Sequence, residues 1–272
     1  MSASLTEAPA AVDCHFHVFN AHAGEPGARY RPAYNAHLEN WLHAARSCGI
    51  GRGVLVQTSF MGTNNRAVLA ALAQNPAHLR GIAVIDPSAE PELVASLHAQ
   101  GVRGLRLNLA GARGSTQHTL RRWLARGSAI WEAMEVLGWH FQLHTDTGEL
   151  PAVLAALPGH LPVVLDHFAR PAAAHAHDET LRAVAARARR AAVHVKLSAP
   201  YRLAGLEPAG LARNWLDVLG PDRLLWGSDW PCTNHESHAD YGRLQRGLQQ
   251  WLEEAALQEQ VLVDNPARLY WS

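Results

Sequence analysis

Eight times along the chain, a short run rich in β-branched and apolar residues is followed by a stretch of helical periodicity or of strong alanine and leucine content. This recurrence restricts the fold more than any other feature. The strand candidates are AVDCHFHVF from Ala11, GVLVQTSF from Gly53, RGIAVIDP from Arg80, VRGLRLNLA from Val102, HFQLHTD from His140, PVVLDHFAR from Pro162, VHVKLSAPY from Val193 and LLWGSDWP from Leu224. Helical stretches include Asn65–Gln74, Leu93–Gln100, Leu120–Leu137, Glu179–Arg190, Gly210–Leu219 and Tyr241–Glu254. A doubly wound open sheet alternates in the same way but carries a glycine-rich phosphate turn after an early strand, and no G-x-G-x-x-G occurs here. The pattern predicts an α/β fold, a single (β/α)8 barrel, regular or distorted, over residues 11–272 behind a flexible N-terminal tail at 1–10. A C-terminal helix ending in VDNPARLY is expected under the barrel or beside strand eight.

Charge and cysteine content narrow the partners. Lys plus Arg equals Asp plus Glu at 24 each, so no global field draws the chain to nucleic acid or to an anionic membrane, and a small molecule is the expected partner. Three scattered cysteines do not make a disulfide framework in a chain of 272 residues. The first ten residues lack a basic segment followed by an apolar one, and no later apolar run reaches the roughly 20 residues of a membrane span. A cytoplasmic setting is expected.

The strands begin apolar and turn polar at their C-terminal ends, which is the catalytic face of such a barrel. There stand His15 and His17, Gln57 and Ser59, Asp86, Arg106 and Asn108, His144 and Asp146, Asp166 and His167, Lys196 and Ser198, and Ser228 and Asp229. In Asp13-Cys14-His15-Phe16-His17 alternate residues share a face, so both imidazoles are expected to point to the barrel axis while Cys14 and Phe16 pack outward. Closure of a barrel brings strand eight beside strand one, and so Asp229 beside the histidine pair. With His144 from strand five, His15, His17 and Asp229 make a plausible ligand set for one divalent metal with room for water. His167, at the end of strand six, reads as a further ligand or as a proton-transfer and hydrogen-bonding group.

On these residues the chain resembles the amidohydrolase superfamily: H-x-H on strand one, histidines on strands five and six, and the aspartate of Trp226-Gly227-Ser228-Asp229-Trp230-Pro231 on strand eight. The phrases VDCHFHVF, VQTSFMGTNN, VRGLRLNL, LDHFARP, VKLSAPYR and LWGSDWP are similar to the branch that holds pyrone-dicarboxylate and sugar-lactone hydrolases. The resemblance implies opening of a lactone ring by water, with Asp229 as general base and His15, His17 and His167 acting with it. It implies substrate contacts from Tyr30, Arg106, Arg113, Arg170 and Arg202, and hence an acidic substrate, since guanidinium forks suit carboxylates. Gln57 and Ser59 join that set from strand two. The branch contains enzymes with and without metal, so both a zinc-like ion on His15, His17, His144 and Asp229 and metal-free catalysis stand open. Arg106 and Asn108, where binuclear relatives carry a modified lysine, argue against a second metal. Arg29, Arg31, Arg121 and Arg122 read as solvated surface charge. Two other readings are a metal-dependent decarboxylase of a small aromatic acid and a non-catalytic binder of organic acids.

Overall fold

All eight candidate runs contain strands. The protein, in a computed structural model, is described at residues 10–26, 28, 30–111, 115–238 and 240–272, so the expected tail, apart from Ala10, lies outside the described residues. The strands are β1 (Ala11–Phe16), β2 (Ile50–Val56), β3 (Leu79–Ala83), β4 (Val102–Asn108), β5 (His140–His144), β6 (Val163–Leu165), β7 (Val193–Ser198) and β8 (Leu224–Gly227). Among the described residues they form one parallel sheet in sequence order. Around them run α1 (Leu38–Ser47), α2 (Arg66–Gln74), α3 (Glu92–Ala99), α4 (Ser115–Arg126), α5 (Ser128–Val136), α6 (Leu150–Ala156), α7 (Glu179–Ala188) and α8 (Pro208–Leu219). After β8 come α9 (Tyr241–Trp251), α10 (Ala255–Glu259) and α11 (Asn265–Tyr270). Among the described residues no helix is long and apolar enough to cross a membrane.

The helices carry their apolar faces at helical spacing, as Tyr241, Leu244, Leu248 and Trp251 do on α9. Several starts are fixed by carboxylate caps: Asp178 accepts from Thr180 N, Glu207 from Gly210 N and Asp240 from Arg243 N. The stretch expected as one helix over Leu120–Leu137 is divided at Gly127 between α4 and α5. A Cβ at that position would lie 2.7 Å from the Trp123 carbonyl, so the chain turns there on the residue that has none.

The sheet closes through a seam. β1 and β8 share no continuous ladder, but just past the end of β8 Asp229 N donates to His15 O at 2.8 Å and His17 N to Trp230 O at 2.9 Å. Close approach at the seam needs Gly227, where a Cβ would sit 2.6 Å from that of His15. The register of β1 on β2 also shifts: Asp13 pairs with Gly53 and Phe16 with Leu55, three steps against two, which is a bulge of one residue. The bulge corrects the strict alternation expected for β1. Phe16 does face outward, stacked on Trp41 at 3.8 Å, but Cys14 joins an interior cluster with Val12, Val54, Val56, Ile82, Val164 and Leu225.

Tyr270, fully buried in that same cluster, plugs the barrel from below, so the C-terminal helix does pack under the barrel. Trp271 continues the plug, with the guanidinium groups of Arg52 and Arg80 5.3 and 5.0 Å from its ring. Above the apolar layer lies a buried polar one: Arg106, Gln142, Asp166 and Lys196, all at most 5% exposed.

Candidate active site

The polar layer supports the catalytic face by charge pairing. Lys196 Nζ donates to Gln142 Oε1 at 2.7 Å and lies 3.7 Å from Asp166 Oδ1, while Arg106 Nη2 lies 3.5 Å from Asp166 Oδ2. Asp166 meets His15 Nδ1 at 3.1 Å, a close but poorly aligned contact. Burial opposes ionisation of Asp166, yet His15, Lys196 and Arg106 outweigh it and hold its carboxyl well below the ordinary range.

Above that layer, Asp229 is the point on which the site converges. Its Oδ1 lies 3.3 Å from His17 Nε2, 3.5 Å from His15 Nε2 and 3.9 Å from His167 Nε2. Its Oδ2 accepts from Tyr201 OH at 2.8 Å and Arg202 Nε at 3.0 Å. Burial would raise this carboxyl, but the guanidinium of Arg202 beside it outweighs burial and holds it well below the usual range, so it is an anion throughout neutral pH.

Hydrogen bonding then fixes what faces that anion. His17 Nδ1 lies 2.7 Å from Val56 O, which can only accept, so Nδ1 carries the hydrogen and the Nε2 of the neutral ring carries a lone pair. His15 lies between two carboxylates, with Asp166 Oδ1 3.1 Å from Nδ1 and Asp229 Oδ1 3.5 Å from Nε2. The His17 lone pair faces a carboxylate oxygen, an arrangement that repels unless a proton or a cation lies between them. The donor set fits a divalent cation on His15, His17 and Asp229, whose ligand atoms all lie within 4.8 Å of one another. His15, Asp166 and His167 form a second such trio. His144 is not brought into either group; it packs edge-on against His167, ring centres 4.8 Å apart, buried and with both ring nitrogens unpartnered among the described residues.

His167 reaches the site through an unusual turn. His167, Phe168, Ala169 and Arg170 all have positive φ, from 44° to 59°, each costing roughly 1–2 kcal/mol in a residue with a side chain. The turn is held by Phe168, fully buried, whose carbonyl accepts from Trp215 Nε1, and by Ser198 Oγ, 2.9 Å from His167 Nδ1. The same turn carries Arg170 to the wall of a cavity of about 450 Å³ over the site, within the range of small-molecule pockets. Asp229 itself sits at φ 57°, directly beyond the seam.

The residues expected to touch substrate separate. Tyr30, Ser59, Arg106, Arg170 and Arg202 line this cavity. Arg113 lies outside the described residues. Gln57 does not line the cavity: its amide donates to Gly62 O and Asn64 O and braces the loop after β2. Arg106 spends Nη1 on Gln57 O, and Arg202 spends Nη2 on Thr233 O. Tyr30 OH donates to Glu236 Oε1 at 2.6 Å, joining the loops after β1 and β8. The sequence reading missed Tyr201, whose neighbour Arg202 was the available signal, and gave Asp13 no role. Asp13 accepts, among the described residues, from His15 N, Ser228 N, Ser228 Oγ, Trp41 Nε1 and Tyr241 OH at 2.6–3.0 Å, tying β1 to the loop that carries Asp229.

The buried imidazoles make the protein acid-sensitive. Burial lowers His15 to about 4 and His194 to about 3, and holds His140, His144 and His167 well below the ordinary value. The unfolded chain, with histidines near ~6.5, binds more protons than the folded one, so this stability is present above that pH and is lost as pH falls towards 4. Chelator-treated protein is expected to show a level Tm between pH 7 and 8 and a steady fall below about 6.5. A Tm that held or rose down to pH 5 would contradict the assignment.

Comparison with known proteins agrees with this geometry. An amidohydrolase family model matches residues 12–271. A 2-pyrone-4,6-dicarboxylate hydrolase of Comamonas testosteroni is 32% identical over 96% of this chain and 90% of its own. A 4-sulfomuconolactone hydrolase of Rhizobium radiobacter is 29% identical over 95% and 89%. A crystal structure from Acinetobacter baumannii, with citric acid bound, superposes with a TM-score of 0.80 at 30% identity, covering 96% of this chain and 99% of that one. With the match running from the first strand to the C-terminal plug, the chain belongs to the amidohydrolase family.

Proposed function

We propose that the protein opens the ring of a small carboxylated lactone with water. The observation that carries this reading is Asp229 Oδ1, with three imidazole nitrogens within 3.9 Å, at the floor of an arginine-walled cavity. The Comamonas and Rhizobium relatives are named for lactone hydrolysis, and the Acinetobacter relative holds a carboxylic acid.

In this mechanism Asp229, always ionised, accepts the proton of a water molecule as its oxygen bonds to the lactone carbonyl carbon. The bond from that carbon to the ring oxygen breaks, the proton passes to the leaving alkoxide, and the product is a hydroxy acid. His167, anchored on Ser198 through Nδ1, presents Nε2 to the carbonyl oxygen. Tyr201 and Arg202 fix Asp229 by its other oxygen, so Oδ1 stays directed at the histidines. A Zn2+ or similar ion on His15, His17 and Asp229 would supply Lewis acidity and a water of lowered pKa. His144 would stand beside that set against His167.

Arg170 is the guanidinium we assign to the substrate carboxylate. Its Nη1 is shared with Thr145 O and Asp146, and its buried Nε has no partner among the described residues. A panel of acidic and neutral lactones, followed by acid release at constant pH, tests the reading. Arg170→Met is expected to raise KM for the best acidic lactone about tenfold or more with little change in kcat, as loss of a charge-assisted hydrogen bond of ~1.5–3 kcal/mol requires. Equal turnover of neutral lactones would remove the acidic-substrate assignment, and release of carbon dioxide would replace hydrolysis by decarboxylation. Protein purified without chelator is expected to carry about one equivalent of divalent metal, and His17→Ala to lose it. Metal-free protein with full, chelator-insensitive turnover would leave the imidazoles as hydrogen-bonding groups only.

A further inference from the structure

Lys196 is a fully buried cation within β7, and it does not line the cavity over the site. Direct contact with substrate is therefore not its role. Nor is it needed to fill space, since an apolar side chain of similar length would do so without the cost of taking an ammonium group out of water. Among the described residues its ion pair is with Asp166, whose Oδ1 lies 3.7 Å from Nζ, and its hydrogen bond is to Gln142 Oε1 at 2.7 Å. Because Gln142 is neutral, it fixes the ammonium group without cancelling its charge. That charge stays available to Asp166.

Asp166 needs the charge to keep its place. Neither of its side-chain oxygens has a well-aligned hydrogen bond among the described residues, so the carboxylate is held by its charged and polar neighbours on three other strands. Oδ2 faces Arg106 Nη2 at 3.5 Å, while Oδ1 faces both Lys196 Nζ and, at 3.1 Å, His15 Nδ1. Arg106 is itself anchored on Gln57 O. Without Lys196 the carboxylate would be drawn towards Arg106 alone and away from His15, a buried ring whose Nε2 lies 3.5 Å from Asp229 Oδ1. Resting on the hydrolytic reading above, we infer that Lys196 is a positioning residue for that reaction: by pinning Asp166 it holds the His15 imidazole in place against Asp229, although it never meets the substrate.

Lys196→Met, which keeps most of the stem and removes the charge, is expected to lower kcat for the best lactone about 30-fold, the scale of losing a group that orients a reactive imidazole, with KM changed less than about twofold. Made on Asp166→Asn, the same substitution is expected to change kcat less than about twofold, because the group through which Lys196 acts is already gone. Nitrogen NMR of chelator-treated protein with isotope-labelled histidine reads the ring directly. The His15 signals, assigned by their loss in His15→Asn, are expected to move in Lys196→Met and to stay where they are when that change is made on Asp166→Asn. Those of His17, held on Val56 O, should stay in both. Gln142→Glu, an isosteric change that gives Nζ a carboxylate of its own, should reproduce the loss of kcat if Lys196→Met fails to fold. Wild-type kcat in a folded Lys196→Met protein, an equal loss on Asp166→Asn, or unmoved His15 signals overturns the assignment. Absence of turnover across every lactone defeats the hydrolytic reading, while the His15 signals still decide whether Lys196 holds that ring. Turnover with unmoved His15 signals does the reverse.

Discussion

Asp229→Asn is expected to fold like the wild-type protein and to lower kcat about 10³-fold, the scale of losing a positioned general base. The backbone at φ 57° suits asparagine as well as aspartate. The amide oxygen can still accept from Tyr201 and Arg202, so the scaffold around it is kept. What is lost is the anion facing His15, His17 and His167, and with it both proton acceptance and a cation ligand. Stopped-flow or pH-stat kinetics, with a thermal melt to confirm folding, would decide the matter. A folded Asp229→Asn protein retaining most of its kcat would mean that another group activates water.

For stability the largest single loss is expected at Asp13. Asp13→Ala strips the acceptor from five donors at once, two of them backbone amides, one in β1 and one just past β8. Leaving several buried donors unpaired should cost about 4 kcal/mol, partly offset where Ser228 and Tyr241 hydroxyls rotate to other acceptors. In a domain of this size that corresponds to a fall in Tm of roughly 10 °C. Asp13→Asn keeps an acceptor oxygen and should lose about half as much. Differential scanning calorimetry measures both; an alanine variant melting within 2 °C of wild type would show that this carboxylate does not hold the seam.

The barrel was legible because its signal is local and repeated: strand-sized apolar runs, helical stretches and glycine at the joints. His15, His17, His167 and Asp229 were legible because each stands at or just beyond a strand end, where alternation and barrel closure predict a common centre. The outward placing of Cys14 failed because a bulge depends on the partner strand, and nothing within Asp13–His17 records the spacing of β2. The pairing of Arg106 with Asp166 was equally hidden, since it joins side chains of β4 and the end of β6 across the barrel interior. Read one at a time, the arginines looked alike; their separate duties follow from which acceptor each one meets. Gln57 shows the same limit, a strand-end amide whose partners lie in its own following loop.

The seam gives this enzyme a particular relation between synthesis, folding and activity. His17 and Asp229 are separated by 212 residues, so the groups that face each other across the seam come from the two ends of the chain. Bringing ends that far apart together costs roughly 5 kcal/mol in chain entropy, recovered only when the intervening strands are in place. A chain emerging from the ribosome can therefore build most of the barrel wall yet hold no reactive centre. Hydrolysis becomes a marker for the last event of folding, and any local opening that parts β1 from β8 should abolish it before the remaining helices and strands exchange their amide hydrogens.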